Sequence, residues 1–469
     1  MTRRREVFKK ARGVGAPLPA RTPLAARLVF IFCFALLPAA SLPPFHAPTS
    51  AAAATTTALD AVSADTRAGR LAVFDDVWKT IAERYYDPKL GGVDWEAQRE
   101  CFRPLAGAAE SRADFYAILR RMIGSLRDAH TRVFAPEERT EWHRPVYTSV
   151  GLSLREIEGE LLVTHVERGS EAERAGVRAG DALLTVDGRP AGELLSRRLS
   201  EAPVDSQNTS ARLGATSRLF DGPRDTLVEL RLASSRDAAR VRLVRLRRSL
   251  RTRSPALTVR RDEGAAVVSF NFFTQEIAVE LMRHFRERKD LRAARGLVVD
   301  LRENGGGDAE AMIDIASAFL PAGTALGEFR DRGGDVAAAP HTRRAMLLAA
   351  DAVANFNGPV VVLTGPRTAS AAEIFAAALQ ERGRARVVGE QTCGCVLAIR
   401  RRHVLPDGGL LDISEMDYRT AAARRLEGAG VTPDEAVAVT RRDIEGGRDP
   451  ALSLALARLK SAGDKHAQR

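Results

Sequence analysis

The chain is short of the residues that mark several common functions. It has four cysteines in 469 residues, Cys33, Cys101, Cys393 and Cys395, and no Cys or His follows Cys393-Gly-Cys395 at finger spacing. A zinc site is therefore not expected. Cys33 lies inside an apolar run and not at its end, which argues against a lipid-modified cysteine. Beyond that run, no second apolar stretch approaches the roughly 20 residues a spanning helix needs. Nor is there a basic stripe interleaved with aromatics, so nucleic-acid binding is not expected. The glycine loop Asn304-Gly-Gly-Gly307 lacks a following Lys-Ser/Thr, which excludes a phosphate-binding loop.

What the chain does contain is an ordinary globular composition, 45% hydrophobic and 28% charged. Its length suggests roughly two to four domains. The net charge of +11 is concentrated at one end. Arg3, Arg4, Arg5, Lys9, Lys10, Arg12, Arg21 and Arg27 against Glu6 put +7 on residues 1–54 and leave +4 on the rest. A basic start, the apolar run Leu28–Leu37 and small residues through Ala51–Ala54 read as a cleaved export signal. A periplasmic or secreted protein without a stable membrane span is expected. Removing that leader leaves three cysteines, so at least one has no partner within the chain.

Residues 61–145 read as a helical domain. Leu71–Ile81 and Phe115–Gly124 repeat apolar residues at helix spacing, and His130 sits in the turn that leaves the second helix. From Tyr147 the pattern changes to short strands, with candidates at Gly151–Leu154, Leu161–Val166, Ala182–Pro190 and Leu227–Leu232. Ser170–Asp181 is a short helix and turn, Glu201–Gly222 an irregular polar insertion, and Arg240–Arg253 a connector or a strand with exposed charges. Strands and helices then alternate from 255 to 440: strands at Ala265–Phe273, Gly296–Leu301, Pro359–Leu363, Ala385–Gly389 and Gly408–Ser414, helices at Ile277–Asp290, Ala309–Leu320 and Ser370–Gln380. This order predicts an α/β core with a mostly parallel sheet and a site at the carboxyl ends of its strands. Asp331–Thr342 interrupts it as a loop, and a last helix begins at Pro450, inside a tail spanning 441–469.

The core's most informative stretch runs from Pro359 to Leu379. A β-branched strand ends in Gly365-Pro366, a short turn follows, and an alanine-rich helix opens at Ser370. Such a turn can present a serine nucleophile beside the free N–H groups of a first helical turn. Equally, Ser370 and Glu373 spell the S-x-x-E capping box. The glycine turn after Asp300 permits close backbone approach to a ligand. A third stretch, Leu426-Glu-Gly-Ala-Gly-Val-Thr-Pro-Asp434, completes the set.

The strand order of 147–238, with its Ala179-Gly-Asp181 turn and Asp187-Gly188 strand end, resembles a PDZ domain. Such domains bind extended chain ends by strand addition, and the matching nest is Val150, Gly151, Leu152, Ser153 and Leu154. Taken with Ser370, Asn304–Gly307 and the 426–434 stretch, the chain from about Val73 to Val439 resembles the carboxy-terminal processing (tail-specific) serine peptidases. That resemblance implies a ClpP/crotonase-like core, protein or peptide substrates, no cofactor and no metal. It puts the nucleophile on Ser370 and an oxyanion donor on Gly306, joined by the N–H of Ala371. The general base departs from the common pattern. The position of the usual lysine holds Cys395, the glutamine after it is replaced by Ile399, and the only lysine between Ser254 and Thr440 is Lys289. A tricorn-like branch uses a histidine from the helical layer and a glutamate instead, and His130 and Glu427 match them, although Ala129 stands where that branch has a serine. The expectation is an exported serine endopeptidase with Ser370, His130 and Glu427 in its site. Two alternatives remain: a catalytically inactive peptidase-like peptide-binding protein, and a functional Cys395, free or locked with Cys101 or Cys393.

Overall fold

The computed structural model describes residues 62–138, 144, 146–200, 209–235, 237, 239–344 and 356–467. The expected leader over 1–54 lies outside them. Among the described residues no helix is long and apolar enough to cross a membrane.

Three helices come first, Arg67–Arg84, Trp95–Ala108 and Arg112–Gly124, each with a side-chain N-cap (Thr66, Asp94 and Ser111). A capping oxygen accepts one of the N–H groups that a helix start leaves without an intrahelical partner. Val73, Phe74, Val77 and Ile81 of the first helix pack against Phe115, Leu119 and Met122 of the third. The core they form is completed from far along the chain by Leu405, Leu411 and Ile413. Strand Arg132–Phe134 pairs antiparallel with Leu410–Asp412, which pairs in turn with His403–Val404. The stretch Gly408–Ser414, placed in the α/β core by its strand pattern, thus serves the helical unit through 410–412. Periodicity reports that a strand exists and is silent about its partner.

The second unit is β-rich, with strand order Leu152–Ile157, Glu160–Val166, Ala182–Val186, Leu227–Ala233 and Val241–Arg247. Val241–Arg247 is a regular strand paired along its length with Leu227–Ala233, which decides the connector-or-strand choice for the first half of the arginine-rich segment. The polar stretch expected to be irregular contains the helix Thr209–Ser217, whose Leu213, Ala215 and Thr216 are buried. Within Asp331–Thr342, expected to be a loop, Val336–Ala338 is a strand that pairs with Glu328–Arg330 in a hairpin extending strand Ser414–Arg419.

The third unit carries a six-stranded sheet: Leu257–Asp262, Ala265–Phe270, Leu297–Asp300, Val360–Thr364, Ala385–Gly389 and Glu435–Ala436. The first pairing is antiparallel and the other four are parallel. Strands buried on both faces read as unbroken apolar runs, and both faces here are covered. Leu297, Val299, Val360 and Val362 meet helices Gln275–Glu287, Ala309–Ala316 and Ala371–Glu381. Val298, Val361 and Leu363 meet Ala451, Ala455, Leu456 and Leu459 of the final helix, Pro450–Ala467. Strand 360–364 lies between strands 297–300 and 385–389, so the loops leaving all three emerge side by side. Those loops hold Asn304–Gly307, Ser370 and Cys393–Cys395.

Candidate active site

Ser370 is held in an unusual backbone conformation, φ +56° and ψ −123°. A non-glycine residue there is strained by about 1–3 kcal/mol and persists only where its surroundings enforce it. The neighbouring loops supply the enforcement. On one side Thr368 Oγ1 donates to the Leu301 carbonyl (2.7 Å) and the Ala369 N–H to the Asn304 carbonyl (3.0 Å). On the other, Cys393 N–H donates to the Thr368 carbonyl and Ser370 N–H to the Cys395 carbonyl, both at 2.9 Å. The turn is thus clamped between its two parallel neighbours.

The capping-box glutamate does more than cap. Glu373 is fully buried, and its carboxylate accepts Ser370 N–H (3.0 Å), Thr392 Oγ1–H (2.5 Å), Gly394 N–H (2.7 Å) and Cys395 N–H (2.9 Å). Burial pushes its pKa up while these donors pull it down. The S-x-x-E spacing signals the first of these bonds; the three to the 392–395 loop were not legible in the sequence.

Gly306 packs directly on the serine. A Cβ added to it would stand 2.6 Å from Ser370 Cβ and 2.7 Å from the Ala369 carbonyl oxygen, and its φ of +95° independently favours glycine. Its N–H donates to Asn304 Oδ1 at 2.9 Å. Ala371 opens the helix Ala371–Glu381, where N–H groups lack intrahelical acceptors.

Cys393 and Cys395 form a disulfide, with Cα atoms 5.2 Å apart, and Cys101 is free and exposed. Of the pairings left open, the one across a single glycine is realised. The loop abuts the turn of Glu427, because Gly428 N–H donates to the Gly394 carbonyl (2.8 Å). The Glu427 carboxylate accepts Val396 N–H (2.7 Å) and Leu397 N–H (3.1 Å). Burial raises its pKa to about 7, against those two N–H groups and with help from the negative charges of Asp128 and Glu373.

His130 is positioned by a residue that sequence reasoning passed over. Asp128, itself buried, accepts the N–H of His130 (2.7 Å), the N–H of Thr131 (3.2 Å) and the Thr131 hydroxyl. Asp at the first position of a tight polar turn was the available signal. Thr131 Oγ1 in turn accepts Ser414 N–H (3.1 Å), which fastens the histidine turn to the later half of the chain. The imidazole is largely buried, and Nδ1 has no hydrogen-bond partner among the described residues, its distance to Asp128 Oδ1 being 4.0 Å. Burial holds its pKa below the ordinary 6.5.

A cavity of about 1940 Å³ is lined by Asp128 and Thr131 from the histidine turn, by Cys393 and Cys395, and by Glu427. The structure therefore brings Ser370, Gly306, Ala371, Cys395 and Glu427 into one connected network, of which Cys395 and Glu427 line the cavity together with Ala129 and Thr131, the two neighbours of His130. No hydrogen bond among the described residues joins the His130 ring to Ser370 or Glu427. The Val150–Leu154 segment belongs to the β-rich unit, where Gly151 has φ +80° and Leu152–Ile157 forms the sheet's edge strand.

Comparison with known proteins agrees with this architecture. Residues 264–437 match peptidase family S41, and residues 67–124 match the tricorn protease C1 domain. The carboxyl-terminal-processing protease of Synechocystis sp. is 28% identical over 371 residues, covering 77% of this chain and 79% of that protein. The chloroplastic carboxyl-terminal-processing peptidase 1 of Arabidopsis thaliana is 26% identical over 378 residues, covering 77% and 71%. Among solved structures, the photosystem II D1 C-terminal processing protease aligns with a TM-score of 0.52 and 24% identity, over 84% of this chain and 97% of that one. Mature CPAF aligns with a TM-score of 0.62 and 14% identity, over 83% and 96%. The two structures share the fold. The chain thus carries a peptidase family S41 domain at residues 264–437, preceded by a tricorn protease C1 domain at 67–124, and its relatives are carboxyl-terminal-processing proteases.

Proposed function

We propose that this protein is an exported serine endopeptidase that cleaves proteins or peptides presented by their C-terminal or apolar tails. The observation that carries the reading is the strained backbone of Ser370, clamped at the carboxyl end of a central parallel strand between two loops that bond to its turn. Strain enforced from both sides is the mark of a side chain held for chemistry, since a plain helix cap has no need of it.

In this mechanism His130 takes the Ser370 hydroxyl proton as the oxygen attacks the scissile carbonyl, and returns it to the leaving amine. Burial favours the neutral imidazole, the form able to accept a proton near pH 7. Glu427 supports the imidazolium that forms. The N–H groups of Gly306 and Ala371 receive the oxyanion, which requires the Gly306 N–H to exchange its present acceptor, Asn304 Oδ1. One such donor is typically worth about 10²–10³ in rate. We read the core as ClpP/crotonase-like and residues 147–238 as a PDZ-like unit. Strand Leu152–Ile157, which ends its sheet among the described residues, would pair with an incoming chain end, and Val150–Leu154 would form the nest for its carboxylate.

An active-site serine probe tests the reading directly. Labelling of the wild type together with peptide hydrolysis, both absent in Ser370→Ala, is the expected result. Wild-type protein that binds peptides yet neither labels nor hydrolyses them is a catalytically inactive binding protein, and the proposal then fails. His130→Ala is expected to lower kcat/KM by at least about 10².

A further inference from the structure

Resting on Ser370 as nucleophile, we propose that the Cys393–Cys395 disulfide is a redox-modifiable positioning element for that serine, and that its reduction by a dithiol lowers turnover.

The bridge closes a ring around a single residue, Gly394, whose φ is +71°. Glycine at such an angle has the widest conformational freedom of any residue, and the crosslink removes most of it. Five of the six backbone N–H and C=O groups of this small ring bond to the serine turn, to Glu373 or to the Glu427 turn. The Cys395 carbonyl accepts Ser370 N–H, and the N–H groups of Gly394 and Cys395 end on Glu373, whose carboxylate also accepts Ser370 N–H. The Gly394 carbonyl accepts Gly428 N–H, next to Glu427, while Cys393 N–H donates to Thr368 in the serine turn. Space around the ring is tight, for a Cβ on Gly394 would stand 3.0 Å from backbone atoms of Gly428, Ala429 and Gly430. The loop is therefore the common support of the nucleophile and of the Glu427 turn, and the disulfide fixes its shape.

The bridge is also within reach of a reagent. Both sulfur-bearing side chains are only half-buried and line the large cavity, while the backbone they hold is buried behind them. A thiolate of the dithiol attacks one sulfur to give a mixed disulfide and expels the other as a thiolate. The second thiol of the reagent then closes its own ring. The protein disulfide gains two electrons and two protons, and the dithiol is oxidised to its cyclic disulfide. Released from the crosslink, the loop regains conformers in which the Cys395 carbonyl no longer fixes Ser370. Misplacing a reacting group by about 1 Å costs up to about 10² in rate.

The test compares the full chain before and after dithiothreitol treatment and alkylation, with thiol titration, steady-state peptide hydrolysis and serine-probe labelling on each sample. Reduction is expected to release two additional thiols, to lower kcat about tenfold or more, and to change KM by less than about twofold. Reoxidation of an unalkylated sample restores kcat. Cys393→Ser/Cys395→Ser is expected to show the kcat of the reduced wild type and no response to dithiothreitol. The proposal is overturned if two thiols appear and kcat is unchanged, if the untreated chain already titrates as fully reduced, or if the double variant still responds. Ser370→Ala separates the two levels of the argument. Were that variant to retain hydrolysis, the assignment of the nucleophile falls; a dead Ser370→Ala beside a redox-insensitive wild type removes only the role of the bridge.

Discussion

Replacing Glu427 with glutamine separates the charge of this side chain from its shape. The amide oxygen of Gln can still accept the N–H groups of Val396 and Leu397, which the carboxylate accepts at 2.7 and 3.1 Å. What disappears is a buried negative charge. Burial and the nearby carboxylates of Asp128 and Glu373 raise the pKa from 4.5 to about 7. In an acid whose folded pKa is raised, the native state binds more protons than the unfolded chain between those two values, so stability falls as pH rises through that window. At about 1.36 kcal/mol per unit, the shift is worth roughly 3 kcal/mol above pH 7, and solvent in the adjoining cavity reduces this toward about 1–3 kcal/mol. Glu427→Gln is therefore expected to be near wild-type stability at pH 5 and more stable than wild type at pH 8. Urea unfolding at both pH values measures the difference. The activity profile carries a second signature: if the ionised carboxylate supports the imidazolium, wild-type kcat rises through about pH 7, and in the variant that step is absent while residual activity remains low. An equal stability difference at pH 5 and pH 8 would refute the reasoning, because it would mean that the carboxyl titrates as it does in water.

Three further outcomes follow from the geometry. Gly306→Ala places a methyl 2.6 Å from Ser370 Cβ at a φ of +95°, so serine-probe labelling should drop by at least about 10² while the circular dichroism spectrum is kept; labelling within twofold of wild type contradicts the close packing. Glu373→Ala takes the buried acceptor from Thr392 Oγ1–H, Gly394 N–H and Cys395 N–H and leaves Ser370 N–H only the Cys395 carbonyl; it should cost about 3–5 kcal/mol, read as a fall in the unfolding midpoint, with a loss under 1 kcal/mol contradicting the bond network. Leu459→Ala opens a cavity between the final helix and the sheet, where Leu459 is 1% exposed. It should cost about 2–5 kcal/mol in urea unfolding without altering KM, and a neutral result would mean that this helix does not cover the sheet.

Some of this protein was legible before any coordinates. The core strands announce themselves as β-branched runs, because a strand covered on both faces has no polar side to show. The serine turn is marked by Gly365-Pro366 and by a helix opening at Ser370, both local signals. The glycine loop is similarly local, since only glycine tolerates the φ of Gly306 so near a neighbouring backbone. What tertiary structure alone decided is partnership. Leu405, Leu411 and Ile413 join a helical core some 300 residues earlier in the chain, and Cys393 bonds to Cys395 and not to Cys101. Glu373 links the serine to a loop about 20 residues away, and Asp128 shapes the histidine turn. A residue's type and spacing fix the conformations its own segment favours. Which distant groups fill a buried carboxylate or complete an apolar face depends on closure of the whole chain, and no local pattern records it.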